Sequence, residues 1–351
     1  MKMKMLPLLS VLLLAGILLS ACTSGASTAS SWAGATLAND AIYFAGTTQV
    51  FALRPDNGNS IWSYPENGSA SRIFLAAPTV STDQVIAGDY VGGLVSLNAK
   101  DGSENWTFSE AKGKYVGSAL ATDTMIIAPN ADGNLYALDL QGKLVWKFAA
   151  NNAFWSQPVT DSQNVYASSL DHYLYAVDLN TGEQFWKADL GATLVSSPLL
   201  DSGVLYQGSI DGVMNAVDAA TGKIKWAQKL DAGIWATPVL SNGKLYFGDQ
   251  KTKIYILDAA NGTIEQSIDV GAAVIGSGVL INDGIAFGTE SGDLVMIGLD
   301  GRKLWSRTIG GMIYSNLVSN GTIVLVVETQ GDRPLVALDT NGTEIWYFAG
   351  K

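Results

Sequence analysis

Hydrophobic residues of this chain form short runs that are separated by turn dipeptides containing glycine. In the segment 196–230, the runs are separated by Ser202-Gly203, Asp211-Gly212 and Thr221-Gly222. The predicted strands are residues 198–200, 204–207, 213–217 and 224–227. The last of them alternates apolar and polar residues, as an outer strand with one solvated face does. The pattern predicts four short strands in each unit of about 40 residues.

The unit recurs along the rest of the chain, and tryptophan marks the repeat. The tryptophans at the repeated position are Trp62, Trp106, Trp146, Trp186, Trp226, Trp305 and Trp346. Gln266 occupies this position in the sixth unit, and a glycine precedes the position by four residues in every unit. Eight such units predict an all-β fold over residues 32–351, an eight-bladed β-propeller of four-stranded antiparallel blades. No segment of this region has a convincing helical period.

The repeats resemble the pyrroloquinoline-quinone (PQQ) type propeller family, whose signature is A-x-D-x-x-T-G-K-x-x-W. The fifth unit matches it at Ala216, Asp218, Thr221-Gly222-Lys223 and Trp226. The resemblance implies that each tryptophan docks between neighbouring blades against a glycine-bearing turn. On this basis, Gln266 should mark the weakest interface. Whether the first and last blades exchange a strand to close the ring stays open.

The N-terminus reads as an export signal. Lys2 and Lys4 precede an apolar run, and the segment Leu19-Ser20-Ala21-Cys22 resembles the bacterial lipobox. Residues 1–22 are therefore expected to be a lipoprotein signal peptide, with Cys22 the lipidated residue, and residues 23–31 a flexible tether. The alternative is an ordinary buried cysteine near the N-terminus.

Composition narrows the function classes. The formal net charge of −11 disfavours nucleic-acid binding, which requires a basic surface. A single cysteine excludes a disulfide within the chain and a cysteine-based zinc site, and a single histidine excludes a multi-histidine metal centre. The expected partners are a membrane, through the anchor at Cys22, and protein. The propeller itself is expected to be monomeric.

Candidate catalytic residues are scarce. An aspartate recurs at one position of most units, at Asp139, Asp178, Asp218, Asp258, Asp300 and Asp339. A residue that recurs in most blades is expected to bond to the backbone of the following turn, not to catalyse a reaction. His172 is expected to be a solvated hairpin residue. Quinoprotein dehydrogenases share the repeats, but they are far longer and carry a vicinal disulfide that one cysteine cannot form. We therefore expect no catalytic residue, no metal, no cofactor and no enzyme activity.

Aromatic residues outside the repeated position are the better candidates for contact with a partner or ligand. Trp155 and Trp235 precede the first strand of their blades, where other units have small or aliphatic residues, and Tyr314 lies one place later in the eighth unit. The long connection 63–76 adds Arg72 and Phe74. The alternatives are structural: the aromatic residues could fill the central channel as additional core, and the connection could be a tolerated surface insertion.

Within the wider family, the chain most resembles the BamB lipoproteins, which have eight blades, a lipid anchor and no cofactor. That resemblance implies a scaffold of the cell envelope which supports the β-barrel assembly machinery through a membrane β-barrel partner. It would lie on the periplasmic side of the outer membrane. In a cell that has only a cytoplasmic membrane, it would lie on the outer face of that membrane. The alternatives are a propeller that binds a glycan or a quinone at the channel mouth and, less favoured, a quinoprotein dehydrogenase.

Overall fold

The computed structural model describes residues 33–38, 40–69, 71–282 and 284–350, and this part of the chain consists of strands and turns without helices. It contains eight sheets of four antiparallel strands each, so the predicted eight-bladed β-propeller is confirmed. The proposed signal peptide, Cys22 and the tether lie outside the described residues. Within the described ranges, no helix has the length and apolar character needed to cross a membrane.

Each blade consists of four consecutive strands. Blades 1 to 4 comprise β1 Ala35–Ala38, β2 Ala41–Ala45, β3 Val50–Leu53 and β4 Ser60–Tyr64; β5 Thr79–Ser81, β6 Gln84–Gly88, β7 Leu94–Asn98 and β8 Glu104–Phe108; β9 Leu120–Ala121, β10 Met125–Pro129, β11 Asn134–Asp139 and β12 Leu144–Ala149; and β13 Val159–Thr160, β14 Asn164–Ser168, β15 Tyr173–Asp178 and β16 Gln184–Asp189. Blades 5 to 8 comprise β17 Leu199–Asp201, β18 Val204–Gly208, β19 Val213–Asp218 and β20 Ile224–Lys229; β21 Val239–Ser241, β22 Lys244–Gly248, β23 Lys253–Asp258 and β24 Ile264–Asp269; β25 Val279–Ile281, β26 Gly284–Gly288, β27 Asp293–Gly298 and β28 Lys303–Thr308; and β29 Val318–Ser319, β30 Ile323–Val327, β31 Leu335–Asp339 and β32 Glu344–Phe348.

The core lies between the blades. The second and third strands are apolar almost throughout and buried on both faces, whereas the fourth strand exposes most of its residues. Tyr166, Ala176 and Trp186 of blade 4 pack with Leu205 and Val217 of blade 5 in one cluster. A blade therefore cannot bury its faces alone, and the ring is stabilised by contacts between neighbouring blades.

The repeated tryptophans contact a glycine turn of the neighbouring blade, and among the described residues six of the seven, all except Trp305, also donate a hydrogen bond to that blade. In blade 3, Trp146 Nε1 donates to the carbonyl oxygen of Leu179 in blade 4 at 2.9 Å. Gly182 follows in the turn with a φ of +72°, and a Cβ there would lie 2.6 Å from the Trp146 ring. Trp62, Trp106, Trp186 and Trp226 make the equivalent bond to the next blade. The glycine is thus required both by the backbone conformation and by the approach of the indole.

Gln266 replaces the indole in the sixth blade and retains its hydrogen bond. Its Nε2 donates to the carbonyl oxygen of Asp300 in blade 7 at 2.9 Å, as an indole N–H does elsewhere. The side chain contacts the turn at Gly301 but is exposed. This interface therefore retains the directional contact and lacks the apolar area that a buried indole supplies.

The ring closes by packing between blades 8 and 1. Each of these sheets contains only consecutive strands, so the described residues show no exchanged strand. Trp346 Nε1 donates to the carbonyl oxygen of Pro55, 2.9 Å away and 291 positions distant in sequence. The Trp346 ring covers Gly58, and Phe348 packs edge-on against Phe51. The closing interface thus uses the same tryptophan–glycine contact as every interface except the one at Gln266.

The repeated aspartates organise the turns between the third and fourth strands. Asp178 Oδ1 accepts bonds from the backbone N–H groups of Asn180 and Thr181, at 2.9 and 2.8 Å. These bonds hold the pKa of Asp178 below its usual range. Asp139, Asp218, Asp258, Asp300 and Asp339 also accept bonds from backbone N–H groups of their own turns. Their role in the fold is therefore that of turn-forming residues.

Candidate functional site at the channel mouth

Each connection entering a blade presents two successive side chains in opposite directions. In blade 4, Phe154 is fully buried, and the next residue, Trp155, is half-buried at the end of the central channel. Blade 6 repeats this arrangement with Ile234 buried and Trp235 half-buried. The buried residues pack against the preceding blade, where a Cβ at Gly208 would lie 2.5 Å from Ile234 Cγ2. This alternation separates core residues from residues available to a ligand.

The second residues of these connections, half-buried or buried, line one cavity of about 450 Å³. We call this set the channel mouth: Val116, Trp155, Val195, Trp235, Ile275 and Tyr314. Tyr314 precedes β29 by the same register that Trp155 has to β13, because Val318 pairs with Leu325 as Val159 pairs with Tyr166. The expectation that Tyr314 lies one place later is therefore corrected. The aromatic residues come from blades 4, 6 and 8, and the aliphatic residues come from blades 3, 5 and 7.

Backbone hydrogen bonds hold these connections to the preceding blade and to the blade that they enter. The N–H of Phe154 donates to the Asn130 carbonyl oxygen at 3.1 Å, and the N–H of Leu170 donates to that of Ala153 at 2.9 Å. The connection before Trp235 is held likewise, by the bond from the N–H of Ile234 to the Ser209 carbonyl oxygen at 3.0 Å. The aromatic residues of the channel mouth therefore project from fixed backbone.

Threonine hydroxyl groups near the channel mouth form hydrogen bonds between neighbouring blades. Thr36 Oγ1 donates to the Pro78 carbonyl oxygen, and Thr79 Oγ1 to that of Ala119, each at 2.6 Å. Thr237 Oγ1 donates to the Ser197 carbonyl oxygen at 2.9 Å. These hydroxyl groups satisfy backbone carbonyls at the channel wall, so they stabilise the ring around the cavity.

The described lining of the cavity carries no charged side chain. Its aromatic hydroxyl, on Tyr314, donates to Glu290 Oε1 at 2.8 Å. Partial burial, followed by this bond and the charge of Glu290, raises the pKa of Tyr314 to about 12. Trp155 Nε1 is buried and has no acceptor among the described residues, so packing alone sets the orientation of its ring. The cavity is thus neutral in a strongly acidic protein.

Arg72 is held in an ionic network between blades 1 and 2. Its Nε donates to Asp89 Oδ2 at 2.8 Å, and its Nη1 donates to the hydroxyl oxygen of Tyr64 at 2.9 Å. Tyr64 in turn donates to Glu104 Oε2 at 2.5 Å. The Asp89 side chain is only 1% exposed, whereas that of Arg72 is 23% exposed. Arg72 therefore neutralises a buried carboxylate and offers a partner only part of its guanidinium.

Phe74 does not lie on the surface, in contrast to the sequence-based expectation. It is fully buried, forms isolated β-bridges with Thr47 and Asp89, and contacts the guanidinium of Arg72. Phe74 belongs to the buried position of the connection, as Phe154 does. The sequence pattern missed this because successive residues of an extended connection point in opposite directions, so a side chain on a surface connection can face the core.

His172 lies on a hairpin away from this cavity. Its φ is +67°, its side chain is 44% exposed, and its Nδ1 lies 2.8 Å from Asp189 Oδ1. Within the described ranges, no group of three or more histidine, cysteine, aspartate or glutamate residues is arranged to hold a metal ion. PQQ is a polycarboxylate, and the described lining of the channel mouth offers it no cationic side chain. These residues do not fit that cofactor.

Comparison with models of protein families assigns the chain to a family. The family described as "Outer membrane protein assembly factor BamB" matches residues 20–173 and 170–346. This chain belongs to the BamB family. The two matches meet within the fourth blade and together include the connections that build the channel mouth. A search of curated proteins found no match.

Solved structures agree with the BamB family fold. The crystal structure of BamB from Moraxella catarrhalis superposes with a TM-score of 0.74 at 19% sequence identity, covering 86% of this chain and 92% of that one. The computationally designed Ika8 protein superposes with a TM-score of 0.71 at 12% identity, covering 91% and 97%. At such identities the likeness concerns the fold, since a propeller can support many functions.

Proposed function

We propose that this protein is a non-catalytic scaffold, anchored to the cell envelope by a lipid at Cys22, that supports the assembly of outer-membrane β-barrel proteins. The observation that carries the proposal is the match to the BamB assembly-factor family over nearly the whole chain. The lipobox-like segment before Cys22 supports the anchor. The partner is a membrane protein of the β-barrel assembly machinery.

The contacts of this scaffold are made by preformed surfaces. The channel mouth presents Trp155, Trp235 and Tyr314 from backbone-bonded connections, and the exposed part of Arg72 adds a cation near blades 1 and 2. Aromatic residues and arginine on rigid connections are the residue types that dominate protein interfaces. The propeller acts as a monomer and needs no cofactor for this role.

The location follows from the anchor. In a host with an outer membrane, the protein lies on its periplasmic side, where barrel proteins arrive unfolded. In a host with only a cytoplasmic membrane, the lipid places it on the outer face of that membrane and the barrel-assembly role does not apply. The function therefore depends on an envelope with two membranes.

The test is deletion of the gene in its native host, followed by measurement of folded β-barrel proteins in the outer membrane. We expect a reduced level, restored by the wild-type gene and not by Cys22→Ser, because the unanchored protein is not held at the membrane. The variant Phe185→Ala is the matched control, since Phe185 is 71% exposed on the outer strand of blade 4. Normal barrel levels after deletion would refute the assembly role, and full rescue by Cys22→Ser would refute the anchor.

A further inference from the structure

The channel mouth has the size and lining of a ligand site. Its volume of about 450 Å³ lies within the range of about 300–1,000 Å³ that is usual for small-molecule pockets. Two indoles and a phenol form parts of its wall, from blades 4, 6 and 8. The wall is fixed before binding, because the connections are bonded to their neighbouring blades. A preformed aromatic cavity loses little conformational entropy when a ligand enters.

The polar groups of this cavity are amides and hydroxyls. Gln157 lines it and donates through Nε2 to the Ala119 carbonyl oxygen, which leaves Oε1 as an acceptor. Asn316 also lines it and accepts at Oδ1 from the N–H of Ser277, which leaves Nδ2 as a donor. Ser118 and Ser197 add hydroxyl groups. Donors and acceptors of this kind match the hydroxyl groups of a neutral ligand.

Charge excludes the anionic alternatives. The described lining has no cationic side chain, and the whole chain carries a formal net charge of −11. An anionic ligand would lose hydration and be repelled by the field of the protein. A purely hydrocarbon ligand would leave Gln157 Oε1 and Asn316 Nδ2 without hydrogen-bond partners. The ligand must therefore combine apolar faces with neutral hydroxyl groups.

We propose that the channel mouth binds a neutral saccharide, with the apolar faces of sugar rings on Trp155 and Trp235 and hydroxyl groups bonded to Gln157 and Asn316. This binding does not rest on the assembly role, although it uses aromatic residues that the scaffold also offers to a protein partner. A sugar ring has the required combination of C–H faces and hydroxyl edges, and indole faces pack well against flat apolar surfaces. Tyr314 closes the third side of the site.

The experiment titrates full-length protein with a panel of neutral gluco-, galacto- and manno-oligosaccharides, followed by tryptophan fluorescence and ligand-observed NMR. We expect saturable binding of at least one member. Trp155→Ala and Trp235→Ala should each weaken it tenfold or more, because each removes a stacking face. Trp155→Phe should retain most of the affinity, and Phe185→Ala should leave it unchanged. Thermal unfolding of each variant identifies any loss that is due to misfolding.

Three outcomes would overturn the proposal. The first is that no neutral oligosaccharide of the panel binds. The second is binding that Trp155→Ala and Trp235→Ala leave unchanged. The third is equal affinity for an oligosaccharide in which a uronic acid replaces one neutral sugar, since the uncharged lining should discriminate against the carboxylate. An uncharged tryptophan-containing peptide is titrated in parallel, and exclusive binding of that peptide would overturn the saccharide proposal and leave the cavity to protein contact alone. Barrel levels in the host are not part of this readout, so this proposal and the assembly role fail independently.

Discussion

At the scale of single residues, the role of a side chain on a connection depends both on the type of residue and on the direction in which the extended backbone points it. Phe154 and Trp155 are adjacent and aromatic, yet the first is core and the second lines the cavity. Phe74 follows the first pattern and is buried. Arg72, which the sequence offered only as a contact residue, also neutralises the carboxylate of Asp89. A residue on a connection can therefore serve the fold and remain partly available to a partner.

Replacing Arg72 should be costly for stability. We expect Arg72→Ala to lower the free energy of unfolding by about 2–4 kcal/mol, because it leaves the buried Asp89 carboxylate without its cation. Denaturant unfolding measures the change. Arg302→Ala is the control, because the Arg302 side chain is 80% exposed beside Asp300 and solvent screens their ion pair, so the loss should be much smaller. Equal losses in the two variants would contradict the structural role of Arg72.

Tyr314 should make stability depend on pH in the alkaline range. Its pKa in the folded protein is raised to about 12, mainly by burial, from an ordinary value near 10. The unfolded chain therefore ionises first, and the contribution is fully present below about pH 10 and lost as the pH rises toward 12. Between about pH 10 and 12, the free energy of unfolding should therefore fall less steeply with pH in Tyr314→Phe than in the wild type. If the free energy of unfolding had the same pH dependence in both proteins, Tyr314 would have the same pKa in the folded and unfolded states.

At the scale of elements, the interface between neighbouring blades is the unit of stability. The fourth strand of one blade and the turn of the next are joined by an indole, a carbonyl oxygen and a glycine in positive φ. Gln266 keeps the hydrogen bond with much less apolar area. The sequence located this variation correctly, but the hydrogen bond that replaces the indole contact became visible only in the structure. Whether this interface is the weakest stays a prediction.

Restoring the repeated residue should strengthen that interface. We expect Gln266→Trp to raise the free energy of unfolding by about 0.5–2 kcal/mol, because the indole adds buried apolar area over the turn at Gly301. Chemical denaturation provides the measurement. Ser267→Trp places the same side chain one residue further along the strand, on the opposite face, and should give no gain. A loss of stability in Gln266→Trp would show that the turn cannot admit the ring.

At the scale of the whole molecule, the ring depends on one interface that no peptide connection supports. Blades 8 and 1 meet through Trp346, Pro55, Gly58 and the Phe51–Phe348 pair. Every other pair of neighbouring blades is also joined by the chain. The absence of an exchanged strand, as far as the described residues extend, makes closure a matter of side-chain packing. Closure fixes the connections around the channel and so the shape of its mouth.

Weakening the closing interface should open the first and last blades. We expect Trp346→Ala to cost about 3–5 kcal/mol, since the indole is buried and its loss leaves a cavity. Amide hydrogen exchange should increase mainly in β1 to β4 and β29 to β32. In Trp186→Ala, the matched change at a chain-linked interface, the increase should be smaller and confined to blades 4 and 5. Uniform exchange throughout the ring in Trp346→Ala would argue against local opening.

The sequence alone determined the eight blades, the four-strand unit, the docking positions of the tryptophans and the turn role of the aspartates. These features repeat, and each depends on a local pattern of apolar spacing and turn residues. The tertiary structure alone decided that Phe74 is buried, that Tyr314 shares the register of Trp155, and that the ring closes between residues 291 positions apart. These outcomes depend on contacts between neighbouring blades. A local pattern cannot specify them, because the two sides of each contact are distant in sequence or differ from blade to blade.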